Sequence, residues 1–451
     1  MIKDNKSKQK DIFAARMTWK NRIILFLVFA ILSSIAFLST IKTIRVIVLL
    51  LLFVLLLFSL LLLFFVNIFN KDLKNLVFPK KVPSVAVITY AYNNFKGIEK
   101  QIEVLLDLEY PIPYTVYLIN DGTFEHLKGK KGLKLITLNK KYFKHGNIKA
   151  QVINLGIKQL KEENILCMDG DTFPNKDVLM KMTPILKDNT KAVIGFLTPI
   201  NKKNILERMQ VYEYVLNFGL WSRGLSLLKS MFVVVGALNL IKRETFLEVG
   251  GFDIYNIVED NDIAFKLHGK GYDIGYATDA RGLTDVPNTL KKFIRQRVRW
   301  YRGAFYTWMT YKRYWFNSKL NLFGTFILPY FLFVNILGAA LFLKFIVVAL
   351  KNFLIYTYFI IYEFIAQHGY HFMFNLSDIT NIYFPPLLFL WLISILVMLV
   401  FFLVAFDKYN FKLKLNDVPY FILFVLFYGL IVITIYLYSL VLEFIGYEYK
   451  W

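Results

Sequence analysis

The chain has 451 residues, and 57% of them are hydrophobic, well above the share in a soluble globular protein. The formal net charge is +22, but the basic residues cluster beside apolar segments and do not form an aromatic-studded groove, which argues against nucleic acid as a partner. One cysteine, Cys167, excludes an intrachain disulfide and a cysteine-rich zinc site. The composition therefore predicts a membrane protein.

Two apolar segments near the N-terminus, residues 23–41 and 46–66, are predicted to cross the membrane. A helix of roughly 20 apolar residues spans the hydrocarbon core. Basic residues precede the first segment and follow the second, so the positive-inside rule places both flanks in the cytosol. A cleaved signal peptide is disfavoured because no small-residue cleavage pattern separates the two segments.

The polar block that follows alternates short β-rich runs with helix-compatible stretches. An amphipathic helix is predicted over residues 98–108, and strands at residues 85–90, 116–120, 133–138, 165–168, 192–196 and 232–235. This rhythm predicts an α/β domain with a mainly parallel sheet, which binds ligands beyond the carboxyl ends of its strands. The glycine signatures of kinases, ATPases and dehydrogenases are missing from the sequence.

Two acidic clusters are candidates for chemistry. Asp169 and Asp171 flank a glycine directly after a predicted strand, where two carboxylates can hold a hard divalent cation that neutralises a substrate diphosphate. An ordinary solvated turn is the alternative. The run Glu259-Asp260-Asn261-Asp262 precedes a helix-compatible stretch. It suits the helix N-terminus by its charge, and it can equally supply a general base for an acceptor hydroxyl.

The pentapeptide Gln296-Arg297-Val298-Arg299-Trp300 lies in a basic stretch ahead of the next apolar segment. It fits a basic amphipathic helix on the membrane surface. An arginine turned inward could also hold a diphosphate leaving group while Trp300 offers a flat face to a sugar. The pattern does not say which cations turn inward.

The C-terminal part contains predicted spans at residues 322–348, 384–406 and 418–442, which makes five in all. Residues 353–366 are apolar but short and are predicted as an interfacial or re-entrant helix. The predicted plan is an N-terminal segment with two spans (1–69), a cytosolic catalytic domain (70–287), interfacial helices (288–320) and a membrane region of about three spans (321–451).

Taken in order, the motifs resemble those of membrane-integrated family 2 glycosyltransferases, which include hyaluronan, chitin, cellulose and poly-N-acetylglucosamine synthases. The residues that carry the resemblance are Ala91-Tyr92-Asn93, Asn120-Asp121-Gly122-Thr123, Lys149-Ala150 with Asn154, Asp169 and Asp171, Gly250-Gly251-Phe252-Asp253, Glu259-Asp260, and Gln296 with Arg299-Trp300. The resemblance implies a GT-A type α/β nucleotide-sugar-binding domain between transmembrane helices. It also implies inverting transfer from a nucleotide diphosphate sugar, such as a UDP-sugar, with Mg²⁺ or Mn²⁺ as cofactor.

The resemblance also implies roles for individual residues. Tyr92, Asn120, Asp121, Lys149 and Asp169 would bind the nucleotide sugar, Asp169 and Asp171 the metal. Asp260 would be the base, and Gln296, Arg299 and Trp300 would form the acceptor end. Asn120 stands where the family usually has an aspartate, and Tyr90 and Asn94 replace a usual proline and acid, so the identity of the nucleotide stays open.

Three functions follow from these expectations. The first is a processive polysaccharide synthase with coupled export, whose partners are a nucleotide sugar, the growing polysaccharide and membrane lipids. The second is a non-processive enzyme that adds one sugar to a lipid acceptor, giving a glycolipid. The third is a non-enzymatic channel or scaffold component.

Overall fold

The computed structural model describes residues 17–38, 42–68, 77–91, 97–120, 122–138, 147–366, 385–409 and 411–447. An eight-stranded sheet forms the centre of the polar block, in the order β3-β2-β1-β4-β7-β6-β8-β5. Its strands are β1 Val85–Ala91, β2 Thr115–Asn120, β3 Leu133–Thr137, β4 Asn164–Met168, β5 Thr172–Pro174, β6 Thr190–Pro199, β7 Leu238–Lys242 and β8 Asp273–Thr284.

The four N-terminal strands are parallel, with β1 paired to both β2 and β4 and β2 paired to β3. β4 and five of the six residues of β2 are buried, as expected for strands covered on both faces. The crossover helices are α3, Ile98–Leu106, and α4, Ile148–Lys158, which bury their apolar faces against this half of the sheet. The carboxyl ends of β1, β2 and β4 therefore lie along one edge.

The prediction of a mainly parallel sheet is wrong for most of the other half, where, among the described strands, only β6 and β8 pair in parallel. β7 runs antiparallel to β4 and to β6, and β5 runs antiparallel to β8. The predicted strand at residues 232–235 is also wrong, because these residues form a loop held to the helix Glu259–Gly269, α9. Val234 N–H donates to the Asp260 carbonyl at 2.9 Å, and the Asn261 amide donates to the Phe232 carbonyl at 2.7 Å. The strand begins at Leu238 instead.

The remaining helices flank the sheet or lie in the apolar regions. They are α1 Trp19–Leu38, α2 Lys42–Ile68, α5 Val178–Met182, α6 Ile205–Leu216, α7 Arg223–Leu227, α8 Arg243–Glu248, α9 Glu259–Gly269, α10 Leu290–Thr310, α11 Leu328–Ala366, α12 Pro385–Tyr409, α13 Val418–Leu423 and α14 Gly429–Phe444. π-Helical turns, which often occur at functional sites, lie at Asn217–Ser222, Phe323–Ile327 and Phe424–Tyr428.

Within the described residues, four helical stretches are long and apolar enough to cross a membrane: Trp19–Leu38, Val48–Ile68, Phe323–Tyr362 and Leu415–Phe444. They match four of the predicted spans, and α12 overlaps the fifth. The prediction of a separate short helix at residues 353–366 is wrong, because α11 continues unbroken through them over 39 residues. At 1.5 Å per residue, α11 is roughly 58 Å long, nearly twice the hydrocarbon thickness. The number of crossings and the domain boundaries stay predictions.

Candidate active site

A cavity of about 520 Å³ lies beyond the carboxyl end of β4 and continues to the apolar helices. The end of β4 supplies Asp169 and Asp171, α4 supplies Lys149, and the first turn of α9 supplies the acidic cluster. One face of α10 supplies Gln296, Arg299 and Trp300 of the pentapeptide. The charged and amide residues among its lining are Lys149, Asp169, Asp171, Asn217, Glu259, Asp260, Asn261, Asp285, Gln296, Arg299 and Asn335.

Lys149 joins the two acidic clusters. Its Nζ lies 2.6 Å from Asp169 Oδ1 and 2.8 Å from Glu259 Oε1. Burial opposes the charge on the amine, but the two carboxylates outweigh it and hold the pKa of Lys149 well above its usual range. Burial also opposes ionisation of Glu259, yet the charge and hydrogen bond of Lys149 lower the pKa of that carboxyl. The pair is therefore an ion pair at neutral pH.

Asn147 fixes this ion pair from the start of α4. Its side-chain oxygen accepts from Ala150 N–H at 3.1 Å and caps the helix, while its amide donates to Glu259 Oε2 at 2.8 Å and to the Asn256 carbonyl at 3.0 Å. The cap that begins α4 thus also holds the first turn of α9. This is why residues far apart in sequence meet around Lys149.

Asp260 has one oxygen engaged and one without a hydrogen-bond partner among the described residues. Oδ2 accepts from Gly236 N–H at 3.2 Å, whereas Oδ1 is buried without a hydrogen bond. Burial, and next the charge of Glu259, raise the pKa of Asp260 to about 6 against the opposing effects of Lys149, the Gly236 N–H and Arg299. Such a carboxyl is ionised at neutral pH and still basic enough to take a proton.

Asp171 lies close to two other carboxylates. Burial, and next the charges of Asp169 and Asp285, raise the pKa of Asp171 to about 6. In the described part of the chain, no three His, Cys, Asp or Glu side chains are grouped as a complete metal site. Among the described residues, the lining nevertheless carries five carboxylates and two cations. A cation bound there would relieve this excess of negative charge.

The pentapeptide lies on α10, and the cations of this helix fall into three sets. Arg299 lines the cavity with Gln296 and Trp300. Arg297 and Arg302 are buried and pair with Glu213 and Glu443, respectively. The others, Lys291, Lys292 and Arg295, are exposed. Arg299 therefore faces the cavity while other cations of the same helix are exposed, and contact with a diphosphate or with the membrane surface stays a prediction.

The predicted nucleobase end is only partly described. Tyr92 and Asp121 lie outside the described residues. Asn120 is buried at the end of β2, where its side-chain oxygen accepts from Gly122 N–H at 2.7 Å and its amide donates to Thr137 Oγ1 at 3.4 Å. Its side chain thus closes its own turn, and contact with a nucleotide stays a prediction.

Sequence analysis missed Asn147 and Asp285. Asparagine just before the helix-compatible stretch at Lys149 is a helix-start signal that could have identified the first. Asp285 directly follows β8, so the strand-end rule would have found it if that strand had been predicted.

The end of the cavity toward the apolar helices is aromatic. Trp221, Phe232, Phe331 and Trp308 form successive edge contacts, with ring centroids 5.8 Å apart for Trp221–Phe331, 5.0 Å for Phe232–Phe331 and 6.2 Å for Phe232–Trp308. All four rings line the cavity together with Asn335 of α11. Flat aromatic surfaces beside isolated polar groups suit a pyranose ring.

Comparison with known proteins identifies the family. The family model described as glycosyl transferase family group 2 matches residues 164–442, more than half of the chain. Poly-beta-1,6-N-acetyl-D-glucosamine synthase of Staphylococcus epidermidis is 29% identical over 302 residues, 64% of this chain and 71% of that protein. The enzyme of that name from Staphylococcus aureus strain COL is 30% identical over 231 residues, 50% of this chain and 55% of that protein.

Among solved structures, the mannosyltransferase PcManGT from Pyrobaculum calidifontis, in complex with GDP-Man and Mn²⁺, aligns with a TM-score of 0.47 at 16% identity, covering 85% of this chain and all of that one. The extent of the family match is decisive by itself. The chain belongs to glycosyl transferase family group 2 and is a glycosyltransferase with a GT-A-like mixed-sheet domain and flanking apolar helices.

Proposed function

We propose that the protein is a membrane-embedded polysaccharide synthase that transfers sugar from a nucleotide diphosphate sugar to a growing chain. The observation that supports this most is the continuity of the cavity. One space joins Asp169 and Asp260 to Trp300 and then to Asn335, on a helix long enough to cross the membrane. An acceptor extending from Asp260 would thus pass aromatic rings on its way to the apolar helices.

The names of the relatives supply the first donor to test. Those proteins are poly-beta-1,6-N-acetyl-D-glucosamine synthases, so UDP-N-acetylglucosamine is the donor we propose. The share of identical residues, 29–30%, leaves room for another sugar, and the direct competitors are UDP-glucose and UDP-galactose.

We propose that a divalent cation, Mg²⁺ or Mn²⁺, binds at Asp169 and Asp171. Mg²⁺ in such sites is commonly held by one or two carboxylates and completes its shell with substrate phosphates and water, which two aspartates at a strand end fit. A nucleoside diphosphate alone would be repelled by the five carboxylates of the lining. When bound, the cation would neutralise the negative charge of the diphosphate.

Each end of the cavity has its own task in the transfer step. The acceptor hydroxyl oxygen bonds to the anomeric carbon of the donor sugar while the bond from that carbon to the diphosphate oxygen breaks. The hydroxyl proton goes to Asp260 Oδ1, the oxygen that lacks a hydrogen bond, and the electron pair leaves on the diphosphate, which Arg299 helps to stabilise. Trp300 stacks under the accepting sugar. Attack on the face opposite the leaving group inverts the anomeric centre.

The membrane arrangement is part of the same proposal. Basic residues before the first apolar helix and after the second support a cytosolic position for the catalytic domain. The growing chain would leave the cavity along α10, α11 and α14, which contribute Trp308, Asn335 and Tyr436 to its lining. Export would thus be coupled to elongation.

A lipid acceptor is the second candidate, because Phe331 and Leu332 give the end of the cavity toward α11 an apolar wall. Family membership leaves the non-enzymatic interpretation without support. Purified protein in nanodiscs, incubated with each radiolabelled UDP-sugar and Mg²⁺ or Mn²⁺, distinguishes the two enzymes by product size. A long polymer is expected, and Asp260→Asn serves as the inactive control. One discrete glycolipid with no polymer would overturn the synthase proposal in favour of the second candidate.

A further inference from the structure

Arg297 is one of the largest fully buried side chains among the described residues, with 1% of its surface exposed. A buried guanidinium is unfavourable unless its charge is compensated. The other buried cation of α10, Arg302, pairs with Glu443 of α14, whereas Arg297 lies against two rings of its own helix, Phe293 and Trp300. Its position therefore requires a reason beyond general helix packing.

The partners of Arg297 come from two distant elements. Its guanidinium donates to Glu213 on α6 and, at 3.4 Å, to the hydroxyl of Tyr428 in the π-helical turn before α14. Tyr428 in turn donates to Glu213 Oε2 at 2.7 Å. The three side chains are thus mutually hydrogen-bonded and join α10, α6 and the last apolar stretch, Leu415–Phe444.

The guanidinium also contacts the acceptor end directly. Its central carbon lies 4.1 Å from the Trp300 ring centroid and 4.7 Å from that of Phe293. A cation over an indole ring in a desolvated site can favour one ring position by roughly 30-fold. Trp300 lines the cavity. Because its ring contacts Arg297, the placement of Arg297 affects the orientation of that ring.

We propose that Arg297 is a positioning residue that holds the Trp300 ring in place and ties that placement to the last apolar stretch through Glu213 and Tyr428. The inference rests on the proposed function, in which Trp300 supports the accepting sugar. A shift of the Tyr428 turn is passed through the shared hydrogen bonds to Arg297 and then to the ring. Transfer to the acceptor, rather than donor binding, depends on this connection.

Tyr428→Phe is the most conservative test. It keeps the ring that packs against Phe424 at 4.7 Å and Phe293 at 5.9 Å and removes only the hydroxyl. With UDP-N-acetylglucosamine and Mg²⁺, we expect the donor KM to stay within about two-fold, since the hydroxyl does not reach the donor. Sugar incorporated per UDP released should fall roughly five-fold, the effect of one buried hydrogen bond, because donor sugar that the displaced acceptor does not take is transferred to water and released as free sugar with UDP. Arg297→Lys keeps the charge but not the planar stack, and should lower the ratio further.

The matched control is Glu443→Gln, which disrupts the other buried ion pair of α10, with Arg302. It should lower the melting temperature and leave the ratio of incorporation to UDP release unchanged. A native ratio in Tyr428→Phe, or an equal fall in Glu443→Gln, would overturn the proposal. If the product proves to be a single glycolipid, the same ratio is measured with that product.

A measurement without turnover separates failure of this inference from failure of the proposed function. Thermal unfolding of Arg297→Lys, Trp300→Phe and the double variant should show non-additive losses, because the two side chains are in contact. Additive losses of stability would overturn the positioning role even if the enzyme is active.

Discussion

Replacing Asp260 with asparagine should abolish sugar transfer while leaving donor binding intact. The asparagine side chain has the same shape, and its oxygen can still accept from Gly236 N–H, the bond that Oδ2 makes at 3.2 Å. The atom that changes is Oδ1, which is buried without a hydrogen bond and would receive the proton. A positioned general base contributes about 10²- to 10⁴-fold, so kcat should fall by at least about 100-fold.

The pH dependence follows from the same carboxyl. The groups that act on its charge are Glu259, Lys149 and Arg299, and with burial they leave the pKa of Asp260 at about 6. A base acts in its ionised form, so the native rate should rise about tenfold between pH 5 and pH 7 and then level off. At a Mg²⁺ concentration that saturates the site and so holds Asp171 ionised, the residual activity of Asp260→Asn should lack this rise.

The assay is UDP release and sugar incorporation at fixed donor concentration, with UDP affinity measured by calorimetry. Asp262→Asn is the matched control: this neighbouring carboxyl pairs with Lys266 at 2.8 Å and accepts from Tyr311 at 3.0 Å, outside the cavity lining. It should lose stability yet keep the native pH profile. Near-native transfer by Asp260→Asn would refute the general-base assignment. A pH profile of Asp260→Asn that matches the native one would also refute it.

Two further predictions concern the metal site and the packing behind the base. Asp171→Ala should weaken UDP binding in Mg²⁺ or Mn²⁺ and reduce the metal dependence of that binding, as measured by calorimetry. Asp177→Ala, which removes a surface ion pair, should change neither. Unchanged metal dependence in Asp171→Ala would exclude Asp171 from the site. Gly303→Ala places a methyl 2.2 Å from Val258 Cγ2, next to the α9 acids, so transfer and melting temperature should both fall. Gly338→Ala places its methyl in open space, so transfer and melting temperature should both stay unchanged. Equal losses in the two variants would contradict the packing argument.

The sheet shows where sequence patterns suffice and where they do not. β1, β2 and β4 were predictable because each is a short apolar run with a turn signal after it, and buried parallel strands have this pattern. β3, at the edge of the sheet, is only partly buried. β8 was missed because its polar residues, such as Asp279 and Arg281, interrupt the apolar pattern that marks a strand. The loop at residues 232–235 has strand-like composition, but its backbone bonds to α9 instead.

The site was predictable as motifs but not as contacts. Asp169, Lys149, Asp260 and Trp300 do line one cavity, as their order along the chain suggested. Their pairing was not predictable, since the link between Lys149 and Glu259 depends on two helices whose approach no local pattern describes. The inward or outward direction of each α10 arginine also depends on acids far away in sequence.

The length of α11 has a similar origin. The apolar run at residues 353–366 was predicted as a separate helix because it is too short to span the membrane. Nothing in residues 349–357 interrupts helical hydrogen bonding, however, and the sequence there contains no proline or glycine, so α11 continues. The length of an apolar run indicates how much of a helix suits the hydrocarbon core, but it does not mark where the helix begins or ends.

The central claim is that one cavity serves both transfer and passage of the growing chain, and a pulse–chase measurement tests it most directly. Nanodisc-embedded protein receives radiolabelled UDP-N-acetylglucosamine briefly and then a large excess of unlabelled donor. If each acceptor stays in the cavity through many transfers, label from the pulse should move together into long polymer, with few short products at any time. Label that remains in short chains released after each addition, or in a single glycolipid, would contradict the claim.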